Sequence, residues 1–145
     1  MSTNVKKKIE LPSVSVKRNQ LWQEVESLYS GAYNTLTLSI GSIGKYIELS
    51  KQPNLKIDLM VLTNMVSGLN RDTTQLRKEI IDIYANIQVK KSQLTDLADI
   101  NMESIQITEL IRSWMERHAR LVDSQLHDLH EYVLNQSNQA NVKEN

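Results

Sequence analysis

Between residues 55 and 98 the chain carries a long, regular alternation of apolar positions. Leu55, Leu59, Leu62, Val66, Leu69, Thr73, Leu76, Ile80, Ile83, Ile87, Lys90, Leu94 and Leu97 follow one another at steps of four and three. That spacing is a heptad seam on an α-helix, with polar residues only at Thr73 and Lys90. A seam this long cannot stay in water. It calls for another helix of the same chain, a second copy or a partner.

A second stripe precedes it. Leu21, Val25, Leu28, Ala32, Leu36, Ile40, Ile43 and Ile47 recur at three and four, predicting an amphipathic helix over about 19–50. Asn19 is a plausible N-cap, with Glu24 and Glu26 in the early turns. Gly31, Gly41 and Gly44 weaken this helix by about 1 kcal/mol each relative to Ala, so a break near residue 40 is one expectation. Lys51-Gln52-Pro53-Asn54 ends it, because proline cannot continue a helix.

Continued past residue 97, the heptad register reaches Asn101, Ser104 and Thr108, all polar. A turn or register change is therefore expected around Asp99–Glu103, although a continuous helix stays open. A third helix is predicted over 104–135. Its stripe, Ile107, Leu110, Ile111, Trp114, His118, Leu121, Val122, Leu126, Leu129 and Val133, drifts around the surface as in a globular bundle. Residues 136–145 are polar and are expected to be disordered.

The first 18 residues read differently. Lys8-Ile9-Glu10-Leu11 and Ser13-Val14-Ser15-Val16 alternate around Pro12, which suggests an extended arm. The expected fold class is all-α: a long antiparallel helical hairpin, or a bundle of about three helices with a coiled-coil-like seam. It comprises a basic arm (1–18), a helical domain (19–135) and a tail (136–145).

Composition sharpens this picture. Four Gly and two Pro in 145 residues leave few turns, and the absence of Phe leaves the core to aliphatic side chains. No cysteine is present, so disulfides and thiolate chemistry are excluded. No apolar run approaches the length of a spanning helix, and residues 1–10 lack the apolar stretch of a secretory signal. The expectation is an intracellular protein, in the cytoplasm or in that of an infected host, without membrane contact. The formal net charge is zero. Lys6, Lys7, Lys8, Lys17 and Arg18 nevertheless gather in the arm, opposed there by Glu10. Such an arm suits DNA phosphates or an acidic patch on a neighbouring subunit.

Candidate chemistry is sparse. Gly41-Ser42-Ile43-Gly44-Lys45 lacks the spacing of a phosphate loop. Asp123, His127 and Glu131 share a helix face, but the ligand set for a metal is incomplete. No serine–histidine–acid order with supporting turns is visible. Neither catalysis nor a cofactor is expected.

The stretch from Val16-Lys17-Arg18-Asn19 through Lys51-Gln52-Pro53-Asn54 to Leu59-Met60-Val61-Leu62-Thr63-Asn64-Met65-Val66 and Leu76-Arg77-Lys78-Glu79-Ile80 resembles the central helical hairpin of small terminase subunits of T4-type tailed phages. The resemblance covers roughly residues 16–83. It implies a ring-forming, non-catalytic DNA-packaging adaptor that serves a separate large subunit. The helical segment 104–135 departs from that family, which has a flexible tail there. The expected partners are thus further copies of the chain, double-stranded DNA or a partner protein. In this reading Leu55, Leu59, Leu62, Val66, Leu69, Leu76, Ile80, Ile83, Ile87, Leu94 and Leu97 build the oligomer or helix seam. Lys6, Lys7, Lys8, Lys17 and Arg18 meet nucleic acid.

Overall fold

The computed structural model describes residues 12–52 and 58–144. They form α1 (Pro12–Ser50), α2 (Leu59–Gln93), α3 (Leu97–His118), one π-helical segment (Ala119–Asp123) and α4 (Ser124–Glu144). No strand occurs among the described residues. The π segment carries α3 into α4 without a break, so the described residues form three long rods.

Their directions follow from the contacts between them. Glu26 meets Lys91 and Tyr29 meets Tyr84, so α1 and α2 run antiparallel. Lys90 meets Glu103, Glu79 meets Arg117, and Asp72 meets Gln125, so α2 and the last rod are also antiparallel. Ser39 meets His118 and Tyr46 meets His130, which makes α1 and the last rod parallel. The result is an up–down–up three-helix bundle.

The core lies along the common axis, and each rod feeds it with a heptad. On α1 the buried or packed positions are Trp22, Val25, Tyr29, Ala32, Leu36, Ser39, Ile43 and Tyr46. On α2 they are Leu62, Val66, Leu69, Thr73, Leu76, Ile80, Ile83 and Ile87. On α3 they are Ile100, Ser104, Ile107, Ile111, Trp114 and His118. After His118 the step is four where the heptad requires three, and the core resumes at Val122, Leu126, Leu129 and Val133. The π segment absorbs the extra residue: widening one turn keeps both halves of the rod facing the axis. The drift visible in the sequence is therefore a one-residue insertion between two regular heptad stretches.

Several boundaries depart from expectation. Residues 12–18 are helical rather than extended. Pro12 occupies the first helical position, where its missing N–H is lost at no cost. Asn19 accordingly lies inside the helix and caps nothing. There is no break near residue 40. Around Gly31, Gly41 and Gly44 an added Cβ would meet open space, so they cost helix propensity without disturbing the packing. The second turn falls at Leu94–Asp96 rather than Asp99–Glu103. Leu94 leaves helical geometry while its N–H still bonds Lys90 O at 2.9 Å, and the Asp96 carboxylate accepts from Ala98 N at 2.8 Å. Resetting the register there buries Ile100 and Ser104 and leaves Asn101 exposed. Residues 136–144 continue α4 instead of forming a disordered tail.

Candidate functional site: a buried serine–histidine layer and the outer helix faces

The seam residues belong to the interior of one chain. Leu62, Leu69, Leu76, Ile80 and Ile87 are each at most 2% exposed, Val66 is 8% exposed, and Ile83 and Leu94 pack against them. Leu97 is half-buried and Leu59 is exposed. Leu55 lies outside the described residues. The stripe is thus covered by α1 and by the last rod, and a second copy is not needed to shelter it.

The basic set is only partly described. Lys6, Lys7 and Lys8 fall outside the described residues. Lys17 is exposed in the early turns of α1, and Arg18 is half-buried beside it. Neither gathers with the arginines of the last rod. Lys17 lines a cleft with Leu97 and Ala98. Arg112 lies fourteen residues beyond Ala98, roughly 21 Å along the axis. Arg117 is held by Glu79 at 2.7 Å.

The structure does bring together a set that the sequence did not advertise. Ser39, on the core face of α1, has its Oγ 3.0 Å from His118 Nε2. His118 Nδ1 faces Asp123 Oδ1 at 3.8 Å across the π segment. Trp114 stacks on the imidazole with ring centroids 5.3 Å apart, and its indole N–H donates to Leu76 O at 2.8 Å. Ser39 and His118 are 5% and 1% exposed, so this is a polar layer inside an aliphatic core. Burial holds the imidazole below its ordinary pKa, and the Asp123 carboxylate pulls weakly the other way.

The order serine, histidine, aspartate invites comparison with nucleophilic catalysis, but the surroundings do not supply the rest. Ser39 lies in mid-helix, and its hydroxyl also reaches Thr35 O at 3.1 Å. Backbone N–H groups in a helix interior are committed to the preceding turn and cannot line an oxyanion hole. What the layer does is fix register. Ser39 and His118 satisfy each other only when α1 and α3 sit at one axial offset, as buried polar pairs do in coiled coils.

One further polar contact flanks the core. Tyr46 Oη and His130 Nδ1 lie 3.0 Å apart where α1 meets α4, and burial raises the phenol pKa. His127 and Glu131 are exposed on α4. Among the described residues no group of three or more His, Cys, Asp or Glu side chains could hold a metal ion. No helix is long and apolar enough to cross a membrane among them.

The outside carries long apolar side chains. Leu38 is 75% exposed, Met60 74% and Met102 62%. Ile105, Leu110 and Met115 are also exposed on α3. Between α1 and α3 runs an open cleft of about 430 Å³, lined by Leu21, Glu24, Leu28, Ile105, Glu109 and Arg112 among others.

Fold and interior together define a three-helix bundle of coiled-coil type, closed on itself within one chain. Compared with known proteins, the chain is 25% identical over 109 residues to a Ras and EF-hand domain-containing protein homolog from Mus musculus. It is 25% identical over 109 residues to a Ras and EF-hand domain-containing protein from Xenopus tropicalis. Those stretches take in 72% of this chain but 17% and 15% of the two relatives, so it spans a minor part of their length. No protein-family model matches, and no solved structure matches.

Proposed function

We propose that this chain is a non-enzymatic helical adaptor or scaffold acting through protein–protein contacts on the outer faces of its bundle. The observation that carries the reading is the exposure of Leu38, Met60 and Met102 on helices whose inner faces are already fully used. Each rod thus carries a large apolar side chain on the outside that the core does not use. The buried polar groups serve the fold, which leaves the outer faces to serve function. The reading is tested by comparing partner binding of the native chain with Leu38→Glu and Met60→Glu variants. A bound partner lost in these variants, with the helical signal retained, supports it. Recovery of nothing but copies of the chain itself contradicts it.

A second reading is non-specific DNA binding, in the form that the terminase resemblance implies: an oligomeric adaptor in viral DNA packaging. Lys17 favours it. This residue is exposed near the positive end of the α1 dipole, and the first turn holds no acidic residue to offset that field. Salt-sensitive, sequence-tolerant retention in a gel-shift titration is the expected result. It should weaken when Lys6, Lys7, Lys8, Lys17 and Arg18 are changed to Ala. Absence of retention at low salt disposes of this reading.

A further inference from the structure

With the α2 seam consumed inside the chain, any self-association must use another face, and α3 presents one that complements itself. Met102, Ile105, Glu109 and Arg112 follow at steps of three and four, so they stand in one row on the outer side of α3, where Ile105, Glu109 and Arg112 border the cleft against α1. All four are exposed, as are Met115 and Ala119 near the end of the row. Met102 and Ile105 are 62% and 53% exposed, and Met115 is 38% exposed. Among the described residues neither Glu109 nor Arg112 has an ion-pair partner, although other charged residues of the bundle, such as Glu79 with Arg117, do.

Rotating this row about a two-fold axis between Leu110 and Ile111 places it antiparallel to its own image. In that register Glu109 of one copy lies beside Arg112 of the other, twice. Ile105 lies beside Glu116 of the other copy. Met102 meets Ala119 at the ends, and opposite charges meet across the centre. A parallel arrangement in register instead sets Glu109 against Glu109 and Arg112 against Arg112. An isologous contact requires a patch that matches itself under two-fold rotation, and this sequence order has that property.

We propose that the α3 face Met102–Ile105–Glu109–Arg112 is the contact of an antiparallel dimer of this chain, with two reciprocal Glu109–Arg112 pairs setting its register. The dimer lays one bundle alongside another and leaves each core intact. It does not depend on the adaptor reading, since a chain that dimerises this way need bind nothing else. Because the contact is one helix face rather than a full seam, the dimer is weak and concentration-dependent.

The test is sedimentation equilibrium of the full chain at low salt, with protein from about 5 to 500 µM, and charge reversals at the pair. The native chain is expected to pass from monomer to dimer across that range. Glu109→Arg alone and Arg112→Glu alone each set like charges together, and each should weaken the dimer by about tenfold or more. The double variant restores opposite charges and should return the dimer to within about threefold of native. Circular dichroism of each variant separates loss of contact from loss of fold. A native chain that stays monomeric throughout overturns the proposal. So do single reversals without effect, or a double variant that fails to recover.

Discussion

At the scale of single residues, the informative position is His118. A histidine with about 1% of its surface exposed must be matched by its neighbours. Ser39 supplies that match from a helix 79 positions away in sequence. Replacing Ser39 with Ala leaves Nε2 buried without its partner and is expected to destabilise the fold by about 1–3 kcal/mol, measured by urea unfolding. The same environment gives stability a pH dependence of known sign. Burial lowers the folded-state pKa of His118 below its unfolded value. The contribution is therefore complete above about pH 6.5, the ordinary histidine value. It is lost as pH falls from there through the folded pKa, because the unfolded chain takes up the proton first. Between pH 7.5 and 5.5 the native chain should lose more stability than the His118→Gln variant. Equal losses would place the pH dependence elsewhere, since His127 and His130 are retained in both. The sequence did not disclose this layer. Ser39 reads as one of several weak helix formers and His118 as one more member of a stripe, and only the axial offset of two rods unites them.

At the scale of elements, the π segment explains why the last rod has the pattern it does. A heptad carrying one surplus residue must either rotate its core face out of the bundle or widen one turn, and Ala119–Asp123 widens. Removing a single residue inside that segment, for example deleting Arg120, should convert it to α-helix and leave both apolar stretches facing inward. A midpoint within a few degrees of native is expected in a thermal melt. Deleting Arg112, inside the regular stretch of α3, shifts every core position before or after it and should abolish cooperative unfolding. If the two deletions prove equally damaging, the surplus residue is not what the segment accommodates.

The legibility of each element follows the same logic. The α2 seam was readable because a strict heptad leaves one interpretation of Leu62, Leu69, Leu76 and Ile80. The α1 helix is readable in outline, and its stripe marks the core face at every position but Ile40. Val25, Ala32, Leu36 and Ile43 are buried and Leu21, Leu28 and Ile47 pack against them, whereas Ile40 faces outward and the axis also takes Trp22, Tyr29 and Ser39. Large aromatic and small polar side chains blur a periodicity judged on aliphatics. Its start is ambiguous in sequence because Pro12 among alternating residues suits an edge strand as well as a first helical turn. The turn at Leu94–Asp96 contains neither Gly nor Pro, and its signal is a single capping aspartate.

At the scale of the whole molecule, the balance of inner and outer surface sets the functional reading. The three rods bury a largely aliphatic axis from Trp22 to Leu129. The surfaces open to a partner are helix faces and clefts between rods, such as the one lined by Leu21, Leu28 and Ile105. The candidate contact residues Leu38, Met60, Met102 and Ile105 had no signal of their own in the sequence. Exposure is a property of the assembled bundle, and each of these residues sits in a helix where an apolar side chain could equally face inward.

The central claim is that the α2 heptad seam is covered by α1 and α3 of the same chain. The native chain has no cysteine, so a spin-label pair can be introduced cleanly at Ser27 on α1 and Gln106 on α3. Pulsed electron–electron resonance on this double-labelled protein, diluted into a tenfold excess of unlabelled chain, is the most direct measurement. Helices packed side by side within one molecule should give a short distance, below about 30 Å with the label arms included, whose amplitude survives dilution. A distance that disappears on dilution would show that the seam is shared between chains and would contradict the account.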